Sequence, residues 1–126
     1  MRATPMTMVL LIDDDQTLLR LMQRALQRAG FDVAAASGGR EGVEQFRACR
    51  PDLVVTDLRM PLKDGFATMR EIRAEAPTAK VIAISGHYSE CGDYLKRARE
   101  LGADDVLAKP FMPADLVGKV AHCLAA

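Results

Sequence analysis

The chain has 126 residues, of which 49% are hydrophobic and 27% charged, and this is the size and composition of one folded domain with its own core. Its 17 basic and 17 acidic residues cancel, which removes the usual electrostatic reason to expect non-specific binding of nucleic acid. The three cysteines lie far apart in the sequence, which argues against a zinc site or a disulfide framework and favours a reducing cytoplasm.

Short apolar runs rich in Val, Ile, Leu and Ala predict five β-strands that are buried on both faces, as in a parallel sheet. They cover residues 8–12, 32–36, 52–56, 80–84 and 104–108. The first run ends at three aspartates and is far shorter than the roughly 20 residues that a membrane-spanning helix needs. The alanines of the second run favour a helix, so that only its position in the series predicts a strand.

Helical spacing separates these runs. In the first helix Leu18, Met22, Ala25, Leu26 and Ala29 fall on one face, and a glycine follows as a helix stop. Four further helices are indicated by spaced apolar residues, namely Val43 and Phe46; Phe66, Met69 and Ile72; Tyr94 or Leu95 with Ala98 and Leu101; and Leu116, Val120 and Leu124. Five βα units in this order predict an α/β fold, an open doubly wound parallel sheet with helices on both faces.

Polar residues follow most of the predicted strands, at the edge where such sheets bind ligands. They are Asp13, Asp14 and Asp15 after the first strand, Asp57 after the third, Ser85 and Gly86 after the fourth, and Lys109 after the fifth. Carboxylates gathered about 4 Å apart repel each other by about 4 kcal/mol per pair and therefore require a cation. Hard carboxylate oxygens suit Mg²⁺, and a lysine with a hydroxyl suits phosphoryl oxygens. The pattern indicates a metal-assisted phosphoryl-transfer site in which one aspartate is a candidate covalent acceptor.

Each of these residues also has an ordinary structural role. Asp15 is expected to cap the first helix, and Asp64 to cap the third. A single serine at a strand end, such as Ser85, is usually a turn former, and Lys109 with its following proline is usually part of a loop. Only the joint placement of these residues at one sheet edge favours function.

Four motifs in order resemble the receiver domain of bacterial two-component response regulators, from about Met8 to Leu124. They are Ile12-Asp13-Asp14, the stretch Asp57-Leu58-Arg59-Met60-Pro61-Leu62-Lys63-Asp64-Gly65, the strand Val81-Ile82-Ala83-Ile84-Ser85-Gly86, and Gly102-Ala103 followed by Lys109-Pro110-Phe111. The resemblance implies a flavodoxin-like (βα)5 sandwich whose five parallel strands have the order 2-1-3-4-5. We expect a single receiver domain over residues 1–126, with its core at about 8–124 and no output domain present, as either a single-domain regulator or a receiver cut from a longer protein.

The resemblance implies a phosphorylation-dependent switch rather than an enzyme. Asp57 would accept a phosphoryl group from the phosphohistidine of a sensor histidine kinase or a histidine phosphotransfer protein. Asp13, Asp14, Asp57 and the backbone carbonyl of Arg59 would hold Mg²⁺, for which Mn²⁺ is expected to substitute. The switch would then regulate a downstream protein or an output domain, as a monomer or weak dimer, without binding nucleic acid or membranes directly.

Further roles follow from the same resemblance. Lys109 would pair with one phosphoryl oxygen through its ammonium group, and Ser85 would donate its hydroxyl to another. Arg59 and His87 are expected to tune the lifetime of the acyl phosphate. Val106 stands where receivers usually carry an aromatic ring, so that we expect phosphorylation to act mainly through the loop after the fourth strand and through the fourth helix. A cis bond before Pro110 is also implied.

Three alternatives remain open. The run from Asp13 to Thr17 fits the Asp-x-Asp-x-Thr pattern of haloacid dehalogenase-like phosphatases, with Asp13 as nucleophile and Asp15 as acid/base, but the pair Asp104-Asp105 then precedes Lys109 instead of following it. A flavin- or nucleotide-binding module needs a phosphate loop where this chain has three carboxylates. A pseudo-receiver would act by protein contact alone.

Overall fold

Strands and helices alternate along the chain in a computed structural model that describes residues 7–59, 64–86 and 91–125, with 91–95 described by their backbone alone. The strands are β1 (Met8–Ile12), β2 (Asp32–Ala36), β3 (Leu53–Asp57), β4 (Lys80–Ser85) and β5 (Asp105–Ala108). The helices are α1 (Gln16–Arg28), α2 (Gly39–Cys49), α3 (Gly65–Glu75), α4 (Cys91–Glu100) and α5 (Pro113–Ala125). None of the helices described is long and apolar enough to cross a membrane.

The strands form one parallel sheet in the order β2-β1-β3-β4-β5, which confirms the predicted fold and strand order. The alanine-rich β2 is an edge strand whose residues pair in register with β1, so that backbone pairing outweighs the helix propensity of alanine. Two strands begin one residue later than predicted. Asp52 and Asp104 stand just before β3 and β5, where their carboxylates accept the backbone N–H groups of Met8 and Val81 at 2.9 and 2.8 Å.

Two apolar layers enclose the sheet, because successive strand residues point to opposite faces. One face packs against α1 and α5, through buried residues that include Leu11, Met22, Leu26, Ile84, Leu116 and Val120. The other face packs against α2, α3 and α4, through buried residues that include Leu10, Phe46, Val54, Met69, Ile72 and Ala98. The carboxyl ends of the strands are thereby fixed relative to one another by packing on both sides.

The predicted face of α1 needs one correction. Its buried residues are Leu19, Met22 and Leu26, whereas Ala29 is exposed. Ala29 is the residue at which the helix ends, and the chain turns away at Gly30 with a φ of +99°. A residue at this position has therefore left the stripe that faces the core.

Both predicted helix caps are present. The side chain of Asp15 accepts the N–H groups of Thr17 and Leu18 at the start of α1, and that of Asp64 accepts the N–H of Ala67 at the start of α3. The Lys109–Pro110 bond is cis, as the resemblance implied. Residues 60–63, which belong to the third-strand motif, and residues 87–90, which include His87, lie outside the described residues, as does the side chain of Tyr94.

Gly65 lets the start of α3 pass directly behind the end of β3. A Cβ atom at this position would lie 2.0 Å from the backbone oxygen of Asp57 and 2.6 Å from the Cα of Leu58. Both obstacles are backbone atoms, which cannot move aside as the end of a side chain can. The absence of a side chain at Gly65 therefore fixes the backbone that carries Asp57.

We predict that Gly65→Ala lowers the free energy of unfolding by about 2 kcal/mol or more, because the added methyl group overlaps with backbone. Gly118→Ala is the matched control, since a Cβ at this exposed position of α5 meets nothing within 4 Å. The control should raise the free energy of unfolding by about 0.5–1 kcal/mol through its better helix propensity. Chemical denaturation measures both, and equal effects of the two substitutions would contradict the prediction.

Candidate functional site

Three carboxylates meet at the carboxyl ends of two neighbouring strands. Asp13 directly follows β1 and is fully buried, and Asp57 is the last residue of β3 and only 4% exposed. Asp14 is exposed to solvent beside them. One carboxylate oxygen from each of the three residues lies within 4.8 Å of the other two. The predicted convergence of acids from the first and third strands is therefore present.

The local backbone orients both buried carboxylates. The Oδ1 atom of Asp13 accepts the backbone N–H of Asp15 at 2.9 Å, and the Oδ1 atom of Asp57 accepts that of Arg59 at 3.1 Å. Each bond spans two residues, the turn that an aspartate side chain forms readily with its own backbone. One oxygen of each carboxylate is thus held by the chain, while each Oδ2 contacts a cation.

The cation is the ammonium group of Lys109, which reaches the two carboxylates from the carboxyl end of another strand. Lys109 follows β5, and its Nζ atom lies 3.1 Å from Oδ2 of Asp13 and 3.0 Å from Oδ2 of Asp57. Its backbone N–H donates to the carbonyl of Ser85 at 2.8 Å, which fixes the start of the lysine side chain beside the end of β4. Lys109 therefore bridges two buried acids that belong to different strands.

The cluster has more negative than positive charge. Burial, followed by the charge of Asp57, raises the pKa of Asp13 to about 6, although the N–H of Asp15 and the ammonium group of Lys109 act in the opposite direction. Burial also acts against the charge of Lys109, but Asp57 and Asp13 outweigh it and raise the pKa of the lysine. With three carboxylates and one ammonium group, the cluster has a formal charge of −2.

This donor set fits a hard divalent cation. Mg²⁺ takes oxygen ligands at short distances and is usually held by one or two carboxylates together with water and phosphate oxygens. The grouped oxygens of Asp13, Asp14 and Asp57 offer such ligands, and two positive charges would neutralise the cluster. No His or Cys belongs to this group of residues, which disfavours zinc.

Ser85 and Arg59 lie at the same edge. Ser85 is the last residue of β4 and is fully buried. Arg59 follows β3 and donates its backbone N–H to the carboxylate of Asp57. The sequence predicted that these residues lie at one sheet edge, but it did not predict the contact of Lys109 with both Asp13 and Asp57. That contact depends on how far the lysine side chain crosses the sheet edge, and no sequence pattern reports this.

The structure contradicts the phosphatase alternative. The carboxylate of Asp15, the acid/base of that hypothesis, caps α1. Asp104 stands at the amino-terminal edge of the sheet, where its carboxylate accepts the N–H of Val81 and pairs with Arg73 at 3.1 Å. The second acid pair of that hypothesis therefore begins at the edge opposite Asp13.

Comparisons with known proteins agree with the geometry of the site. Residues 9–121 match the response regulator receiver domain family. The chain is 32% identical over 112 residues to the alkaline phosphatase synthesis transcriptional regulatory protein PhoP of Bacillus subtilis, and 40% identical over 114 residues to the transcriptional regulatory protein CseB of Streptomyces coelicolor. These matches cover 89% and 90% of this chain but only 46% and 47% of the relatives, so that the chain spans about half their length.

A solved structure of a response regulator receiver domain protein from Clostridium thermocellum superposes on this chain with a TM-score of 0.88. Its sequence is 31% identical, and the match covers 95% of each chain. The similarity therefore extends over the whole sandwich as well as over the motifs.

The raised pKa of Asp13 leads to a prediction about stability. In the window between the ordinary carboxyl pKa of 3.8 and the folded value of about 6, the folded protein binds this proton more tightly than the unfolded chain, so stability falls as pH rises. Without metal, Asp13→Asn should therefore be more stable than the unsubstituted protein at about pH 8, by about 3 kcal/mol. The difference should shrink towards zero near pH 4.

Chemical denaturation in the presence of a chelator measures this pH dependence. Asp14→Asn is the control. The carboxylate of Asp14 is exposed to solvent, so its removal relieves little of the free-energy cost of burying a charge. A stabilisation by Asp13→Asn that is the same at both pH values would contradict the electrostatic explanation.

Proposed function

We propose, because the chain belongs to the response regulator receiver domain family, that it is a signalling switch whose Asp57 accepts a phosphoryl group. The observation that carries this proposal is the pairing of Asp57 with Lys109 at 3.0 Å, at a sheet edge that also holds Asp13 and Asp14. The Asp57 carboxylate is oriented by the backbone, partly neutralised by Lys109, and next to two further carboxylates that could hold a divalent cation. These are the conditions that a phosphoryl acceptor needs.

The proposed reaction transfers a phosphoryl group from a histidine nitrogen of the donor to a carboxylate oxygen of Asp57. A carboxylate oxygen of Asp57 forms a bond to phosphorus while the P–N bond of a phosphohistidine breaks, and the departing imidazole nitrogen takes up a proton. The backbone N–H of Arg59 holds the plane of the acceptor carboxylate through its Oδ1 atom. Because the transition state is loose, orientation and charge compensation account for most of the rate.

Asp13, Asp14, Asp57 and the backbone carbonyl of Arg59 are the residues that would hold Mg²⁺. The ion would neutralise charge on the transferring phosphoryl group. The carboxylates of Asp13 and Asp14 lie close to that of Asp57, and Lys109 contributes one positive charge to the same cluster. Mn²⁺, which also accepts oxygen ligands in an octahedral arrangement, should substitute.

Two residues would respond to the new phosphoryl group. The ammonium group of Lys109 would pair with one phosphoryl oxygen in place of a carboxylate oxygen, and the hydroxyl of Ser85 would donate to another. Ser85 accepts the backbone N–H of Lys109 through its carbonyl, so the two residues already form one unit at the ends of β4 and β5. Movement at this unit would alter the surface beside it, which a downstream protein or an output domain would read.

The phosphoryl donor would be a sensor histidine kinase or a histidine phosphotransfer protein. Small phosphoryl donors should also react, because the chain itself supplies the orienting groups. Val106, on β5 opposite Ala83 of β4, carries no aromatic ring. The response to phosphorylation should therefore run mainly through the segment after β4 and through α4.

Phosphorylation with labelled acetyl phosphate tests the acceptor. We predict that the protein takes up label only with Mg²⁺ or Mn²⁺ present, and that Asp57→Asn abolishes the uptake. Asp64→Asn is the matched control, since Asn retains the helix-capping ability of Asp and position 64 contributes no group to the carboxylate cluster.

Peptide mapping of the labelled protein then identifies the modified residue. Label on Asp57 is the expected result. Undiminished labelling of Asp57→Asn would refute the assignment, and label on Asp13 would identify Asp13 as the acceptor instead.

We also predict that Arg59 controls the lifetime of the acyl phosphate. It lies two residues beyond Asp57 and donates its backbone N–H to the acceptor carboxylate, so its side chain begins beside the proposed acyl phosphate. Arg59→Ala should change the rate of dephosphorylation, and so should His87→Ala, whose position is two residues beyond Ser85 in the sequence. Loss of label after removal of the donor measures both rates. Unchanged rates for both variants would contradict the prediction.

A further inference from the structure

The side chain of Lys109 crosses the end of β4 at a residue without a side chain. Strand β4 lies between β5, which Lys109 follows, and β3, which ends in Asp57. Ser85 pairs in register with Ala108, and its carbonyl accepts the N–H of Lys109. The lysine must therefore pass over the residue that follows Ser85 in order to reach the acids, and this residue is Gly86.

The contact between the two residues is close. A Cβ atom on Gly86 would lie 2.8 Å from Cδ of Lys109, 3.4 Å from its Cβ and 3.6 Å from its Cγ. Carbon atoms in favourable contact are about 3.5–4.0 Å apart. Any side chain at position 86 would thus displace Cδ of the lysine, and Nζ, two bonds further along, would be displaced with it.

We propose that Gly86 is a positioning residue for Lys109, because its lack of a side chain provides the path along which the lysine reaches Asp13 and Asp57. The two contacts at stake are those of Nζ with the carboxylates, at 3.1 and 3.0 Å. This inference rests on the proposed function, since Lys109 assists the phosphoryl transfer only when Nζ reaches these acids. It assigns Gly86 an indirect role, exerted through the lysine.

Open space beside the lysine determines how a substitution would act. A cavity of about 470 Å³ borders both residues and is also lined by Leu18, Leu21 and Phe111. We expect the displaced methylene groups of the lysine to move into this space and not against the core. A larger residue at position 86 should therefore impair the site more than the fold.

A double-mutant cycle tests the inference. Gly86→Ala and Gly86→Val are each made in the unsubstituted protein and in Lys109→Ala, whose side chain ends at Cβ and no longer has the contacted Cδ. We expect Gly86→Val to slow phosphorylation by about 10- to 100-fold, as for a catalytic group misplaced by about 1 Å, and Gly86→Ala to slow it less. In Lys109→Ala, the same substitutions should change the rate by less than about twofold. Gly118→Ala should leave the rate unchanged.

Two small donors, acetyl phosphate and phosphoramidate, separate positioning from access. Displacement of Lys109 should slow the reaction with both donors by the same factor. A loss confined to the bulkier donor would mean that position 86 only controls entry, and it would overturn the inference. An equal effect of Gly86→Val with and without the lysine side chain would also overturn it.

Unfolding measurements on the unsubstituted protein, Gly86→Val, Lys109→Ala and the corresponding double variant test the positioning of Lys109 without a phosphorylation assay. Gly86→Val should lower the free energy of unfolding in the unsubstituted protein by more than in Lys109→Ala, and additive effects would overturn the inference. If the unsubstituted protein takes up no phosphate with Mg²⁺, the proposed function fails, while this comparison still decides whether Gly86 positions Lys109.

Discussion

The burial of two carboxylates side by side is the constraint on which the site depends. Strand order makes β1 and β3 neighbours, so that Asp13 and Asp57 meet at one sheet edge inside the protein, where their mutual repulsion is weakly screened. Lys109 compensates only part of this charge, because it is a single ammonium group shared by both acids. The resting protein is therefore arranged around an excess of negative charge that a divalent cation and a phosphoryl group would together reorganise.

The two edges of the sheet use aspartate in opposite ways. At the amino-terminal edge, Asp52 and Asp104 accept backbone N–H groups at the starts of neighbouring strands and so stabilise the sheet. At the carboxyl-terminal edge, Asp13 and Asp57 each accept a backbone N–H with one carboxylate oxygen and contact Nζ of Lys109 with the other. The same residue type is structural at one edge and chemically available at the other, and the direction of the parallel strands determines which.

The sequence predicted the fold class and which residues meet at the carboxyl-terminal edge of the sheet, because both depend on local patterns. Buried strands read as apolar runs, and Asp15 and Asp64 stand where helix caps belong. The strand order came from the resemblance to receivers, since periodicity alone does not determine which strands are neighbours. The face of α1 was partly wrong because Ala29 lies where the helix already ends. The path of Lys109 over Gly86 depends on long-range packing, and no local pattern encodes it.

The most direct test is a crystal structure of the protein with Mg²⁺ and beryllofluoride, a mimic of the phosphoryl group. The proposed function predicts beryllofluoride on Asp57, the metal ion on Asp13, Asp14, Asp57 and the backbone carbonyl of Arg59, and Nζ of Lys109 on a fluorine atom. Beryllofluoride on Asp13, or a complex in which Lys109 still bridges both carboxylates and no metal is bound, would contradict it.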